Sequence, residues 1–179
     1  MRYEVRLSGA GGQGMILAGV ILAEAAAIYD DKNATQSQSY GPEARGGASK
    51  SEVIISDEDI FYPKATNIDL LLALTQEACN KYVDDLKPTG FLVIDGDRVQ
   101  DIPEGDFKVY KLPIMSIAQE KVGKVIVANI VALGVIAALS GVVSDEAIES
   151  AVLARVPRGT EELNRKALLA GMEAARKLM

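Results

Sequence analysis

At 179 residues the chain is long enough to bury a substantial core as one domain spanning residues 1–179, and a composition that is 49% hydrophobic and 25% charged excludes intrinsic disorder. A net charge of −6 without a long Lys/Arg run argues against nucleic acid or an anionic membrane as partner. Histidine is absent and Cys79 is the lone cysteine, so His-based acid/base catalysis, His metal sites, an internal disulfide and a four-cysteine iron–sulfur cluster are all excluded for this chain by itself.

The first strand is expected from Tyr3 to Ser8, where Tyr3, Val5 and Leu7 alternate with Glu4 and Arg6. A central parallel strand covered on both faces is normally apolar throughout, so one face of this strand is expected to be left incompletely covered. Gly9-Ala10-Gly11-Gly12-Gln13-Gly14 follows and fits G-x-G-x-x-G between a strand and an Ala-rich helix expected from Gln13 to Tyr29. Glycines there permit a tight turn and let backbone N–H groups and the helix N-terminus face an anion. Gly9, Gly11, Gly12, Gln13 and Gly14 are therefore the candidate anion- or phosphate-binding loop.

A dinucleotide-binding unit next requires an apolar strand ending in an acid that holds a ribose hydroxyl. Instead, Asp30-Asp31 precede the strand candidate and read as a solvated turn, and the candidate itself, Asn33 to Ser39, is polar. Tyr40-Gly41-Pro42-Glu43-Ala44-Arg45-Gly46-Gly47 is a turn-rich loop, and Ser49 to Ser56 is a second extended segment, so a hairpin-like excursion is expected. Arg45 has two readings of equal weight: a bidentate contact to a carboxylate or phosphate ligand, or a pair with Glu43 or a partner's carboxylate.

Beyond Asp57-Glu58-Asp59 the pattern is ordinary α/β. Strands are expected at Asp69–Leu74, Phe91–Ile94 and Phe107–Leu112, with a helix over Thr75–Val83 capped by Thr75 and a turn over Asp84–Gly90. Cys79 on that helix is read as a small buried residue, and Asp95-Gly96-Asp97 as a turn in preference to a metal site. Ser116 is expected to open a helix with Gln119 completing a capping box. Val125–Val143 is apolar enough to raise a membrane span, but its Ala and Gly content and Asn129 favour a helix packed inside the domain or against a subunit. Ser144 and Thr160, each followed by two acids, cap the last two helices. The N-terminal residues carry no export pattern, which predicts a cytoplasmic protein.

The expected architecture is a three-layer, Rossmann-like α/β domain with a mostly parallel sheet and a polar hairpin-like insertion after the first βα unit. No catalytic residue and no metal-ligand set is assigned.

The glycine stretch combined with Gln38-Ser39-Tyr40-Gly41-Pro42-Glu43-Ala44-Arg45-Gly46-Gly47 resembles the gamma subunit of 2-oxoacid:ferredoxin oxidoreductases, over essentially the whole chain in length and element order. The second motif looks more like the 2-oxoglutarate branch than the pyruvate branch; pyruvate, branched-chain oxoacids and indolepyruvate are the alternative substrates. The resemblance implies a heteromeric enzyme that decarboxylates a 2-oxoacid on thiamine diphosphate, passes electrons through iron–sulfur clusters to ferredoxin and transfers the acyl group to coenzyme A. It implies alpha and beta partners, with a delta subunit as a further candidate, and no cofactor bound by this chain alone. Ser39, Tyr40, Glu43, Arg45, Gly46 and Gly47 become a substrate/coenzyme A or subunit-interface loop. A homodimer is expected when partners are absent. The competing reading is a free-standing Rossmann-type nucleotide-binding protein.

Overall fold

A computed structural model describes residues 1–40 and 48–179, with the backbone alone at Tyr40. Six strands, β1 (Arg2–Ala10), β2 (Asn33–Tyr40), β3 (Ala48–Ser56), β4 (Ile68–Ala73), β5 (Leu86–Asp95) and β6 (Lys108–Leu112), form one sheet in the order β2-β3-β1-β4-β5-β6. β1, β4, β5 and β6 pair in parallel, whereas β3 is antiparallel to both β1 and β2. Five strands thus run one way and β3 alone opposes them. The two polar segments pair antiparallel with each other, as expected of a hairpin, and both belong to the main sheet: β2 is the edge, and β3 lies between β2 and β1.

Among the described residues six α-helices accompany the sheet: α1 (Met15–Glu24), α2 (Gln76–Tyr82), α3 (Ile114–Ile117), α4 (Ala128–Ser140), α5 (Asp145–Arg155) and α6 (Glu161–Arg176). α1 runs on into a π-helical turn, Ala25–Tyr29. Alternation of side chains along each strand splits the interior in two. Val5, Leu7, Val53, Ile55, Leu70, Leu72 and Val93 join α1, α4, α5 and α6 in the larger apolar cluster. Leu71, Ala73, Leu92 and Ile94 point the other way, onto Ala78, Cys79 and Tyr82 of α2. α4 is apolar all round and buried along nearly its whole length, which accounts for its hydropathy without a membrane. Among the described residues no helix is long and apolar enough to cross one.

α4 and α6 approach closely because both carry glycine at the crossing. A Cβ on Gly134 would stand 2.2 Å from the Leu168 carbonyl oxygen, and one on Gly171 would stand 2.0 Å from that of Val131. Backbone atoms cannot step aside as a side-chain tip can, so neither position admits a larger residue without moving a helix.

The first strand departs from expectation. Its polar face is covered by its own chain: Glu4 and Arg6 are 5% and 2% exposed. Arg6 donates to Glu52 through Nε at 3.1 Å and Nη2 at 2.8 Å, and to Asp85 through Nη1 at 2.7 Å. Its guanidinium carbon also lies 5.4 Å from the centre of the Tyr82 ring. Burial pushes the guanidinium pKa down, but the hydrogen bonds to Asp85 and Glu52 outweigh it and hold the group above its ordinary value. Glu4 accepts from the backbone N–H groups of Thr66 and Asn67, both at 2.9 Å, and so fixes the connection into β4. Arg2 donates to Glu4 from Nε at 3.0 Å, and the other partners of Glu4 and Arg6 arrive from 46 or more positions away.

Several local expectations hold and others are corrected. Thr75 accepts from Ala78 N at 3.2 Å and Ser144 accepts from Ala147 N at 3.1 Å, both N-caps as expected. Asp95 and Asp97 form a turn, with Asp95 Oδ1 accepting from Asp97 N. β5 begins at Leu86 and takes in most of the expected 84–90 turn. α3 begins at Ile114, so Ser116 is not its cap; the hydroxyl donates to Asp97 instead. The Thr160 hydroxyl caps no helix N–H and donates to the Pro157 carbonyl. Asp30 is no free solvated carboxylate, since it accepts from both the backbone N–H and the hydroxyl of Ser144 at 2.7 Å.

Candidate functional site

The glycine stretch sits at the C-terminal end of β1, where an open α/β sheet presents its ligands. Gly9 and Ala10 are the last residues of the strand, and Gly12 (φ +85°) and Gly14 (φ +77°) make the reversal into α1 in the left-handed region that glycine supplies. Gln13 folds back over the turn: its Oε1 accepts from Ala10 N at 2.7 Å, and its own N–H reaches the Ala10 carbonyl at 3.3 Å. A Cβ on Gly9 would lie 2.4 Å from Gln13 Oε1, so a larger residue there would push the Gln13 tip off Ala10 N. Gly14 is glycine for two reasons, its φ and the Asn129 amide, which would lie 2.6 Å from a Cβ.

Gly11 has no such explanation within the chain. Its φ is not positive, and among the described residues nothing lies within 4 Å of where its Cβ would be. Among the same residues the N–H groups of Gly11, Gly12 and Gly14 donate to no protein acceptor. Backbone donors left open at the start of a helix form a place where an anion can be held.

The second predicted group lies at the same end of the sheet. The register pairs Ala10 with Ala48, Gly9 with Ser49, and Ser49 in turn with Tyr40, so the strand ends flanking the second motif stand beside the glycine loop. Ser49 Oγ lies 3.5 Å from the Gly9 carbonyl oxygen. Ser39 is exposed on the edge strand opposite Lys50. Glu43, Arg45, Gly46 and Gly47 lie outside the described residues, as does the side chain of Tyr40. The structure thus brings the backbones of Ser39 and Tyr40 to the same sheet end as Gly9–Gly14.

A cleft of about 390 Å³ opens against Gly12, Gln13 and Gly14, walled by Leu17 of α1, Ile126 and Val127 before α4, Asn129 and Ile130 of α4, and Val156, Pro157, Thr160, Leu163 and Asn164 around the start of α6. It is mainly apolar, with Lys124 as the one charged side chain lining it among the described residues. Asn129 donates from Nδ2 to the Gly14 carbonyl at 3.3 Å, tying α4 to the turn. Sequence reasoning missed Asn164 and Lys124 as contributors. Asn129, by contrast, left a usable signal: a lone amide in a run of otherwise apolar residues.

The position beside β1 also decides what the loop does not resemble. In a dinucleotide fold a parallel strand lies there and ends in the ribose-binding acid. Here β3 lies there, antiparallel, and presents Ala48, Ser49 and Lys50 at that end. Among the described residues no group of three or more Cys, Asp or Glu could hold a metal, and Cys79 is buried with its thiol pKa pushed up by that burial.

The chain matches the family described as pyruvate ferredoxin/flavodoxin oxidoreductase over residues 4–174. It is 55% identical to the 2-oxoglutarate synthase subunit KorC of Methanocaldococcus jannaschii over 180 residues, covering 99% of this chain and 96% of that one. The crystal structure of the keto/oxoacid ferredoxin oxidoreductase gamma subunit from Geobacter sulfurreducens superposes with a TM-score of 0.93 at 60% identity, covering 99% of this chain and 98% of that one. The 2-oxoglutarate:ferredoxin oxidoreductase of Magnetococcus marinus, solved with 2-oxoglutarate, coenzyme A and succinyl-CoA bound, superposes at 0.87 and 26% identity; the match covers 99% of this chain and 32% of that one.

Proposed function

We propose a function from one premise: this chain belongs to the pyruvate ferredoxin/flavodoxin oxidoreductase family. It serves as the gamma-type subunit of a 2-oxoglutarate:ferredoxin oxidoreductase, in which a 2-oxoacid is oxidatively decarboxylated to its acyl-CoA while ferredoxin is reduced. The observation that carries this reading is 55% identity along nearly the full length of both chains to a subunit named for 2-oxoglutarate. Thiamine diphosphate and the iron–sulfur clusters supply the decarboxylation and electron transfer from other subunits. That division fits a chain with no histidine and a single, buried cysteine.

This chain's own contribution is binding and positioning. The open N–H groups of Gly11, Gly12 and Gly14 take an anionic group, a phosphate of coenzyme A or a carboxylate, brought against the backbone where a side chain at position 11 would stand in the way. Arg45 of the second motif, whose flanking strand ends stand beside that turn, binds the same anionic species or a partner carboxylate. The alpha and beta subunits complete the site, and the assembly works in the cytoplasm.

Co-expression of all subunits followed by assay of 2-oxoglutarate-dependent ferredoxin reduction tests the assignment. Gly11→Ala, which meets no steric obstacle among the described residues, leaves the melting temperature of the isolated chain unchanged and raises the KM for coenzyme A or the oxoacid by about tenfold, as loss of one charge-assisted hydrogen bond would. Arg45→Ala acts on the same constants. Assembly without activity on 2-oxoglutarate removes the substrate assignment, and unchanged KM values in both variants remove the anion site.

A further inference from the structure

The cleft beside the glycine turn holds two amides whose bonding is half complete. Asn129 and Asn164 are each only 6% exposed. Each uses its nitrogen: Asn129 on the Gly14 carbonyl, and Asn164 on the Thr160 carbonyl at 3.0 Å and the Thr160 hydroxyl at 3.1 Å. Neither Oδ1 accepts a hydrogen bond among the described residues, yet no buried side-chain oxygen there is both sealed from solvent and unpartnered. Both oxygens therefore keep a small accessible surface, and the cleft is the space that both side chains line. Two acceptors in an apolar wall call for a ligand that brings N–H donors.

The rim narrows the class of ligand. Ile126 is 79% exposed, Val125 43% and Leu17 39%, so apolar surface continues from inside the cleft onto the outer face of the molecule. A small molecule filling about 390 Å³ would leave that rim in water, whereas a polypeptide covers rim and cleft together. Among the described lining residues Lys124 is the one charge and no acid is present, which suits a neutral or acidic segment.

We propose that this cleft receives one extended segment of a partner subunit, which inserts an apolar side chain between Leu17, Ile130 and Leu163 and donates backbone N–H groups to Asn129 Oδ1 and Asn164 Oδ1. The inference rests on the chain's being a subunit of a larger enzyme and names the surface through which it docks. Because Asn129 also holds the Gly14 carbonyl, an occupied cleft sets the position of the glycine turn, and assembly and the anion site are linked through one side chain.

The test uses the full chain and the remaining subunits. Leu17→Glu/Ile126→Glu, placed at the rim, lowers affinity for the other subunits at least tenfold, about the loss expected at an interface hot spot, and leaves the circular dichroism melt of the isolated chain unchanged. Ile28→Glu, equally solvent-facing but outside the cleft, assembles at full strength. p-Benzoylphenylalanine at position 126 in the assembled enzyme cross-links to one contiguous segment of another subunit, and this arm decides the matter if the double variant misfolds. Full-strength assembly of a folded double variant, or adducts confined to this chain, overturns the docking proposal while the subunit assignment stands. Failure of the wild-type chain to assemble with the other subunits overturns both.

Discussion

The two faces of β1 are met by opposite chemistry, although its neighbours β4 and β5 carry apolar residues onto both sides of the sheet. On one face Val5 and Leu7 pack into a continuous apolar core beneath four helices. On the other, Glu4 and Arg6 lie under α2 and the 57–67 connection in a lattice of charge: Arg6 with Glu52 and Asp85, Glu4 with the N–H groups of Thr66 and Asn67, and Asp69 with Lys87 at 2.8 Å. The difference teaches that an alternating polar pattern marks a strand face without telling whether water or the chain itself meets it. The helical face depends on shape, because any apolar surface of the right volume would satisfy its energetics. The ionic face depends on completeness, because a buried charge that loses a partner retains its full desolvation penalty.

The largest expected effect breaks the ionic face. Arg6→Leu takes from Glu52, itself only 13% exposed, its buried cation, leaving it the Lys50 ammonium at 3.1 Å, and costs about 3 kcal/mol of unfolding free energy in urea titrations. Arg6→Leu combined with Glu52→Leu recovers much of that loss, because removing both partners removes the unpaired charge. Equal loss in the single and double variants would show that Arg6 acts through packing on Tyr82 and not through charge. A somewhat smaller effect breaks the helical face: Gly171→Ala sets a methyl group against the Val131 carbonyl and costs about 2–3 kcal/mol through displacement of α6 from α4. Gly159→Ala, which meets strain from its φ of +92° but no atom of the described residues within 4 Å, separates backbone strain from helix contact.

The same contrast explains what could be read from sequence. The glycine turn, the Thr75 and Ser144 caps and the alternation of strands with helices are encoded within a few residues, and each was legible because its partner is close in the chain. The cover of the first strand was not, since Glu52 and Asp85 lie 46 and 79 positions from Arg6 and nothing local announces either pairing. The same limit hid the pairing of β3 with β1, although the strand itself was expected from Ser49 to Ser56. Its polar start, Ser49-Lys50-Ser51-Glu52, suggested an excursion, yet those residues pair on both sides within the sheet, with Ser51 buried against Gly19 of α1 and Glu52 against Arg6. At the candidate site the turn was legible in its glycines, whereas the cleft was not, because Asn129, Lys124 and Asn164 meet only once α4 and α6 are packed.

Alkaline titration sharpens the comparison with the smallest expected effect. Tyr3 begins the apolar face of β1, and burial, with Asp69 and Tyr110 nearby, pushes its phenol above the ordinary value of 10.0. In the unfolded chain the phenol ionises near that ordinary value while in the native chain it keeps its proton, so the unfolded state binds fewer protons once the pH passes about 10. The contribution is therefore fully present below about pH 10 and is lost as the pH rises beyond it. Arg6, held above its own high ordinary value, stays charged through the same range, so the apolar face weakens first. Urea titrations of wild type and Tyr3→Phe at pH 8 and at about pH 11 check this: the variant loses less stability between the two pH values than wild type does. An identical loss in both proteins would place the alkaline sensitivity elsewhere and remove Tyr3 as the point where the apolar face responds to pH.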